Sequence, residues 1–371
     1  MANILDYIKW RGDLSFTQDP PNAVDALVFS ALSYISYGGR VEAQPRGPIT
    51  LRSAAEEFFT LADHENRVRV QNDLELLHLA AGSIRFGFSK IYLYRDTLIP
   101  EQETQFAAMT YLLDDGSAFV AFRGTDYSLV GWKEDFNMTF QQTVPAQRLA
   151  QQYVREVAQE YMAPLRLAGH SKGGNLAVFA AARSSPMIRE RILAVYNNDG
   201  PGFTEYLMGD PGYIAMVPRI KTYIPQSSVI GMLLEHEEPF TVIRSKTVGL
   251  LQHDPYSWEV LGREFIPVRE TTADSKFLDA TIKQWFAEMT NQERNQLVDV
   301  MYTLLSIGGV DSTWEIFHPR NIRNYLKTLS YDENMRRILS EEFQNLMEAA
   351  KKTKALMDAE RTENLLPEKM E

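Results

Sequence analysis

Five residues in the middle of the chain have the spacing of a serine nucleophile. The run Gly169-His170-Ser171-Lys172-Gly173 places glycines two residues before and two residues after Ser171. An apolar stretch, 165–168, precedes this run and an alanine-rich stretch, 176–183, follows it, which indicates a strand, a tight turn and a helix. Such a turn exposes the serine, and the glycines let strand and helix approach closely. The alternative is a glycine-rich helix start with an ordinary N-cap serine.

A second run, at the end of an upstream strand, has the features of an oxyanion site. The apolar residues 118–122 are followed by Arg123-Gly124-Thr125. When a serine attacks a carbonyl, the tetrahedral oxygen becomes negative and needs N–H donors already in place. We predict that the amides of Thr125 and Lys172 are these donors, with the Thr125 hydroxyl as a third. A plain strand-terminating turn is the alternative.

The elements around these runs alternate between strand and helix. Two apolar runs, 106–113 and 118–122, are separated by Asp114-Asp-Gly-Ser117 and predict a β-hairpin. A helix is predicted at 147–161, and further strands are predicted at 165–168, 192–196, 220–224 and 240–245. This alternation predicts an α/β architecture, with a mostly parallel central sheet flanked by helices.

Both ends of the chain are predicted to be helical. Before residue 90 the spacing of apolar residues predicts three helices. One spans 25–35, one begins after an N-cap at Thr50, and one spans 73–81. After residue 270 the strand signals stop, and Thr290–Glu293 and Ser330–Glu333 have the form of capping boxes. We therefore predict one domain over residues 1–270, including a helical N-terminal segment, and a helical C-terminal appendage over residues 271–371.

The composition limits the chemistry and the partners. The 371 residues include no cysteine, which excludes a thiol nucleophile and a thiolate metal site. The net charge of -11 would repel nucleic acid, and no basic patch offsets it. No nucleotide-binding glycine motif is present. The run Glu235-His-Glu-Glu238 has metal-ligand residue types, but consecutive residues rarely bind the same ion. We therefore predict no cofactor, no metal and no nucleic-acid partner.

The sequence also predicts a cytoplasmic protein. Charged residues at positions 6, 9, 11 and 13 interrupt the stretch where a secretory signal would need an apolar run. The sequence contains no run of about 18 apolar residues, so we predict no membrane-spanning helix. The oligomeric state is not indicated by the sequence.

Two motifs resemble those of the class 3 lipases, which have the α/β-hydrolase fold. These are Phe122-Arg-Gly-Thr125 and Gly169-His-Ser-Lys-Gly-Gly174, and Trp132-Lys-Glu-Asp-Phe136 is similar to the family's short motif after the oxyanion turn. The opening residues 3–13, with Asp199-Gly-Pro-Gly-Phe203 and Gln252-His-Asp-Pro255, resemble the bacterial Mbeg1-like group of the same superfamily. The resemblance implies an α/β-hydrolase fold and a serine esterase or lipase-like enzyme acting on acyl esters or lipids.

The base of such a site is a histidine that follows the serine and the acid in the chain. Of the three candidates, His236 lies in a charged segment that is predicted to be exposed, and His318 lies in the helical appendage. His253 follows the predicted strand 240–245, as expected for this fold. We therefore predict His253 as the base and a structural role for His170.

The acid is where the chain departs from the class 3 lipases. Those enzymes place an aspartate after the strand that here is 220–224, but this chain has Ser228 near that position. Asp199 ends the preceding strand and is predicted as the replacement, although it could merely cap the turn that follows it. Asp254 is a poorer candidate because adjacent side chains seldom point at each other.

These residues lead to one hypothesis and one alternative. The hypothesis is a serine hydrolase in which Ser171 forms an acyl-enzyme, with His253 and Asp199 completing the triad. The apolar stretch 203–234 would border an acyl site or a lid, although core packing explains it equally well. The alternative is a non-catalytic binding or scaffold protein that has kept the fold.

Overall fold

The apolar runs of the central region become neighbouring strands of one sheet. The computed structural model describes residues 2–43, 46, 48–126, 128–310 and 315–363. The eight strands lie side by side in chain order. They are β1 (Ile49–Thr50), β2 (Lys90–Ile99), β3 (Thr104–Leu112), β4 (Ala118–Phe122), β5 (Leu165–His170), β6 (Ile192–Asn198), β7 (Ile220–Pro225) and β8 (Phe240–Ile243).

The type of strand pairing changes once across this sheet. Strands β1 to β4 pair antiparallel, and the predicted hairpin is confirmed by the pairing of Leu112 with Ala118. Strands β4 to β8 pair parallel. The carboxyl ends of five neighbouring strands therefore meet at one edge of the sheet, which is where α/β proteins place their sites. A separate two-stranded ribbon is formed by β9 (Val260–Leu261) and β10 (Glu264–Phe265).

Helices lie in three parts of the chain: near the N-terminus, between the strands of the sheet, and after the sheet. In the N-terminal part they are α1 (Ile4–Arg11), α2 (Ala23–Leu32), α3 (Gly39–Ala43), α4 (Leu51–Phe58), α5 (Asn72–Gly82) and α6 (Ile84–Gly87). Between the strands they are α7 (Leu129–Asn137), α8 (Pro145–Glu160), α9 (Lys172–Ala182), α10 (Pro186–Arg191), α11 (Glu205–Met208) and α12 (Pro211–Met216). After the sheet they are α13 (Ala273–Glu288), α14 (Asn291–Leu305), α15 (Pro319–Tyr331) and α16 (Glu333–Glu363).

The sheet is covered on both faces, as the alternation of side chains in β4 shows. Phe119 and Ala121 pack in one apolar cluster with the N-terminal helices, whereas Val120 and Phe122 pack in a second cluster with α8 and α9. Successive residues of a strand point to opposite faces, so a continuous apolar run fits a strand buried on both sides. Burying each of these phenylalanines contributes roughly 1.5–3 kcal/mol. The architecture is that of the α/β-hydrolase fold, as predicted.

The described chain divides into two compact units. One consists of Met1–Asp126 and Val130–Glu270, and the other of Tyr127–Leu129 and Thr271–Glu371. In the second unit the predicted capping box of Thr290 and Glu293 is confirmed. The one predicted at Ser330 is wrong, because α15 continues through Ser330 and the Asp332 carboxylate accepts a hydrogen bond from the Met335 amide instead. Within the described ranges, no helix is long and apolar enough to cross a membrane.

Candidate active site

Ser171 lies on a strained turn between β5 and α9. Its backbone has φ 58° and ψ -135°, a region that costs a non-glycine residue about 1–3 kcal/mol and is found mainly at functional sites. A Cβ added to Gly169 would lie 2.0 Å from the carbonyl of Gly173, and one added to Gly173 would lie 2.2 Å from the Phe122 oxygen. Both glycines are therefore required for the strand and helix to approach this closely. Although Ser171 is the N-cap residue of α9, its hydroxyl makes no capping hydrogen bond, unlike an ordinary cap serine.

The structure brings Asp199 and His253 together at the carboxyl edge of the sheet. Asp199 follows β6, and His253 ends the short 3-10 turn Gly249–His253 that follows β8. The Oδ2 atom of Asp199 lies 2.6 Å from Nδ1 of His253. Because a carboxylate only accepts, Nδ1 carries the proton, and Nε2 of the neutral ring is left as a base. The Asp199 side chain is buried, while 25% of the His253 side chain is exposed.

Asp199 has a backbone conformation that aims its side chain at this edge. Its φ of 55° is in the left-handed region, where aspartate is tolerated better than most residues. The Asp199 amide donates to the carbonyl of Tyr223 in the neighbouring strand β7. The second carboxylate oxygen, Oδ1, accepts a hydrogen bond from Ser228. Asp254 instead lies 3.5 Å from the Arg69 guanidinium and bonds the Tyr256 amide.

His170 is a buried support for the loop that carries His253. Its Nε2 is 2.8 Å from the backbone carbonyl of His253, so Nε2 must donate. Burial, with the nearby charges of His253 and Arg69, holds the pKa of His170 well below its usual value, so the ring is neutral. Nδ1 is then an acceptor for the Tyr34 hydroxyl, 3.1 Å away. The ring connects the turn after α2 to the His253 loop.

The His253 loop is held by hydrogen bonds of the preceding residue, Gln252. The Gln252 side chain accepts from the Ser227 amide and donates to the Thr247 carbonyl. The buried indole of Trp258 donates to the Gln252 carbonyl. These bonds fix the loop relative to the end of β7, so the position of the imidazole does not depend on Asp199 alone.

The predicted oxyanion turn lies directly against Ser171. A Cβ built on Gly124 would be 3.1 Å from the Cβ of Ser171 and 2.5 Å from the His170 carbonyl oxygen, so glycine is needed at residue 124. The amide of Lys172 is in the first turn of α9, where N–H groups have no partner within the helix. The hydroxyl of Thr125 donates to Asp135, so its only proton is directed away from the predicted third-donor role.

The side chain of Lys172 points away from Ser171 into a buried ionic cluster. Its Nζ donates to Glu134 at 3.1 Å and to the carbonyl and side-chain oxygens of Gln105. Asp135 is 3.7 Å from the same Nζ. Burial raises the pKa of Asp135 to about 6, although Lys172 opposes this rise. Only the backbone of Lys172 is therefore placed to act at the site.

Three aspects of the site were not predicted from the sequence. The contact of Ser228 with Asp199 depends on the pairing of β6 with β7, and no local signal indicates it. The hydrogen bond from Thr125 to Asp135 was not predicted either, and its one signal in the sequence is the motif 132–136. In the segment predicted to be exposed, Glu235 and Glu237 are exposed, but the His236 side chain is only 6% exposed and bonds the buried Glu238. His318, in the second unit, caps α15.

The apolar stretch 203–234 contributes more to the core than to an open surface. Leu207, Tyr213 and Met216 are buried in the cluster that includes α9. Tyr206, by contrast, is 44% exposed. Among the described residues, no group of three or more histidine, aspartate or glutamate side chains is arranged to hold a metal ion.

Comparisons with known proteins place this chain in a family. Solved structures with a similar fold include the Rhizomucor miehei lipase propeptide complex, with 15% identity, a TM-score of 0.36 and coverage of 59% of this chain and 67% of that one. They also include a mutant form of MDLA from Penicillium cyclopium, with 14% identity, a TM-score of 0.37 and coverage of 67% and 87%. Lipase II from Rhizopus niveus has 12% identity, a TM-score of 0.34 and coverage of 61% and 83%.

Similarity at this level does not transfer an activity to this chain. A search of curated proteins found no match. The sequence model of the Mbeg1-like family matches residues 80–303, which include the serine turn, Asp199 and His253. This match covers more than half of the chain, and the chain belongs to the Mbeg1-like family.

Proposed function

We propose that the chain is a serine hydrolase that cleaves carboxylic esters, lipid esters included, through an acyl-enzyme on Ser171. The observations that carry the proposal are the 2.6 Å hydrogen bond between Asp199 and His253 and the strained strand-to-helix turn of Ser171, whose preceding residue, His170, bonds the His253 carbonyl. Strained backbone of this kind clusters at functional sites, and an acid–histidine pair is the partner that a nucleophilic serine needs.

The proposed reaction assigns one role to each residue. As Ser171 Oγ attacks the ester carbonyl, Nε2 of His253 takes its proton, and Asp199 stabilises the imidazolium that forms. The amides of Thr125 and Lys172 hold the negative oxygen of the tetrahedral intermediate. His253 then gives its proton to the departing alcohol, and water releases the acyl group as a carboxylic acid.

The proposed substrate class is an acyl ester, and three features limit it. The oxyanion turn and the elbow are built for a carbonyl. The half-buried residues 232–234, in the loop after β7, offer apolar surface to an acyl chain. The net charge of -11 disfavours polyanionic substrates. A cytoplasmic location stays a prediction.

The test is turnover of p-nitrophenyl butyrate by the wild type, Ser171→Ala and Ser185→Ala. Ser185 is a matched control, because it also stands at a helix N-terminus without a side-chain capping bond. We expect kcat to fall by about 10⁴-fold or more in Ser171→Ala and to stay within about twofold in Ser185→Ala. Turnover that survives in Ser171→Ala would contradict the proposal. A folded wild type that turns over no ester would favour the non-catalytic binding protein.

A further inference from the structure

We propose that Ser228 is a positioning residue, whose hydroxyl holds the Asp199 carboxylate in the orientation that His253 requires. The turn that carries Ser228 is itself held by two buried side chains in contact, His236 and Glu238. This inference rests on the serine-hydrolase function proposed above, and it adds residues outside the predicted triad.

Ser228 holds the last side-chain torsion of Asp199, which sets the orientation of the carboxylate. Oδ1 of Asp199 accepts from Ser228 at 2.5 Å, while Oδ2 faces His253 at 2.6 Å. The last torsion of an aspartate has a broad energy profile, so one hydrogen bond alone would allow the carboxylate to swing. With both oxygens bonded, rotation of the carboxylate breaks two hydrogen bonds at once, one of them buried.

The turn after β7 determines where the Ser228 hydroxyl points. The amide of Gly231 donates to Ser228 Oγ at 3.0 Å, which leaves the hydroxyl proton directed at Asp199. A Cβ added to Gly231 would lie 2.3 Å from Oδ1 of Asp199. Glycine at residue 231 therefore lets the turn close over the carboxylate and exclude water from it.

His236 holds this turn from its other side. Nε2 of His236 is 2.9 Å from the carbonyl oxygen of Gly231, and Nδ1 is 3.1 Å from a carboxylate oxygen of Glu238. The His236 side chain is only 6% exposed, and that of Glu238 is buried. The imidazole therefore bridges the backbone of the turn and a buried carboxylate.

Glu238 anchors His236 to the core of the same unit. The Tyr213 and Thr222 hydroxyls each donate to Glu238 at 2.6 Å. Although burial opposes it, the hydrogen bonds and charge of His236 hold the pKa of Glu238 below its usual value, so the carboxylate is ionised. The set of contacts is continuous and runs in the order Glu238, His236, Gly231, Ser228, Asp199, His253.

This chain of contacts matters most when His253 becomes charged. The negative charge of Asp199 must then face Nδ1 without rearrangement, because catalysis gains from charges that are already oriented. Loss of the Ser228 hydroxyl would leave Oδ1 buried without its donor and free to rotate. We expect this loss to slow the chemical step and to leave substrate binding unchanged.

The experiment compares kcat and KM for esters in Ser228→Ala and Ser228→Thr. We expect kcat to fall by about 10–100-fold in Ser228→Ala with KM within about twofold, as for other residues that orient a reacting group. Ser228→Thr keeps the hydroxyl and should recover most of the rate. A wild-type kcat in Ser228→Ala would overturn the proposal, as would equal losses in the two variants.

An exchange of side chains tests the same geometry in a second way. Asp199→Ser removes the acid, and the double variant Asp199→Ser with Ser228→Asp supplies one from the turn after β7. Because the Ser228 hydroxyl reaches to 2.5 Å of the carboxylate, an aspartate there can approach His253. We expect the double variant to exceed Asp199→Ser by about tenfold or more in kcat, since a restored acid recovers part of the loss. No recovery would contradict the proposed proximity.

A measurement without turnover separates this inference from the proposed function. The ring proton on Nδ1 of His253 gives a far-downfield proton NMR signal while Asp199 accepts it. Ser228→Ala should shift or broaden that signal. An inactive wild type with these spectra would contradict the proposed function and support the positioning role. Unchanged spectra in Ser228→Ala would reject the role.

Discussion

The two halves of the candidate site are built in different ways. In the serine half, Gly169, Ser171 and Gly173 lie within five consecutive residues. A Cβ added to either glycine would lie 2.0–2.2 Å from backbone atoms of a neighbouring element. In the acid–base half, Asp199 and His253 come from two loops 54 residues apart, and side chains make the contact. The serine half therefore depends on backbone shape, and the acid–base half depends on side-chain hydrogen bonds.

This difference predicts different responses to substitution. Where a turn has no space for a Cβ, replacing its glycine destabilises the folded state. A side-chain contact can be removed with little effect on folding, because the surrounding loop has its own anchors, such as the bonds of Gln252 and Trp258. Substitutions of the two glycines in the serine half should reduce stability, whereas substitutions in the acid–base half should reduce the rate.

The largest effect on rate within the acid–base half is expected for Asp199→Asn. The amide cannot stabilise the imidazolium, and it favours the wrong ring tautomer of His253, so we expect kcat to fall by about 10³–10⁴-fold. Steady-state kinetics with a short-chain ester measures this loss, and thermal unfolding should show a melting temperature within a few degrees of wild type. A kcat within tenfold of wild type would show that Asp199 is not the acid.

The largest effect on stability is expected for Gly173→Ala in the serine half. The new Cβ would lie 2.2 Å from the Phe122 carbonyl oxygen, so β4 and α9 must separate. We expect the free energy of unfolding to fall by about 3 kcal/mol or more. Gly116→Ala is the control, because Gly116 has φ 81° but nothing within 4 Å, so only about 1–2 kcal/mol of backbone strain is expected. Equal losses in urea unfolding would contradict the close-packed turn.

A smaller, pH-dependent effect is expected at Asp135, which lies behind the oxyanion turn. Its pKa is raised by burial to about 6, above the usual 3.8, so the folded state holds the proton more tightly than the unfolded state. Its contribution to stability is therefore complete below pH 3.8 and is lost as the pH rises through 6. In Asp135→Asn the melting temperature, relative to wild type, should rise between about pH 4 and pH 7. A difference that stays constant with pH would contradict the raised pKa.

The smallest effect is expected for Asp254→Asn, which distinguishes the two acids near His253. The Asp254 side chain is 45% exposed and faces Arg69 at 3.5 Å, and such a pair contributes at most about 1 kcal/mol. We expect kcat within about threefold of wild type, since the residue orients no reacting group. A loss as large as that of Asp199→Asn would assign the acid to Asp254 instead.

The sequence was sufficient for the serine half and for most of the sheet. The elbow, the hairpin and the strands that became β5 to β8 follow from local glycine spacing and apolar runs. Strand β2 was missed, because Arg95 and Asp96 interrupt its apolar pattern and its polar face is exposed. The contact of Ser228 with Asp199 was missed for another reason, because it arises where two strands pair and no local pattern records a pairing register.

The central claim is that Ser171 is activated by His253, and active-site labelling tests it most directly. Intact mass spectrometry after treatment with a fluorophosphonate should show a single adduct on the wild type. The adduct should be absent from Ser171→Ala and strongly reduced in His253→Ala, while Ser185→Ala is labelled like the wild type. A folded wild type that takes up no probe, or an adduct that persists in Ser171→Ala, would contradict the claim.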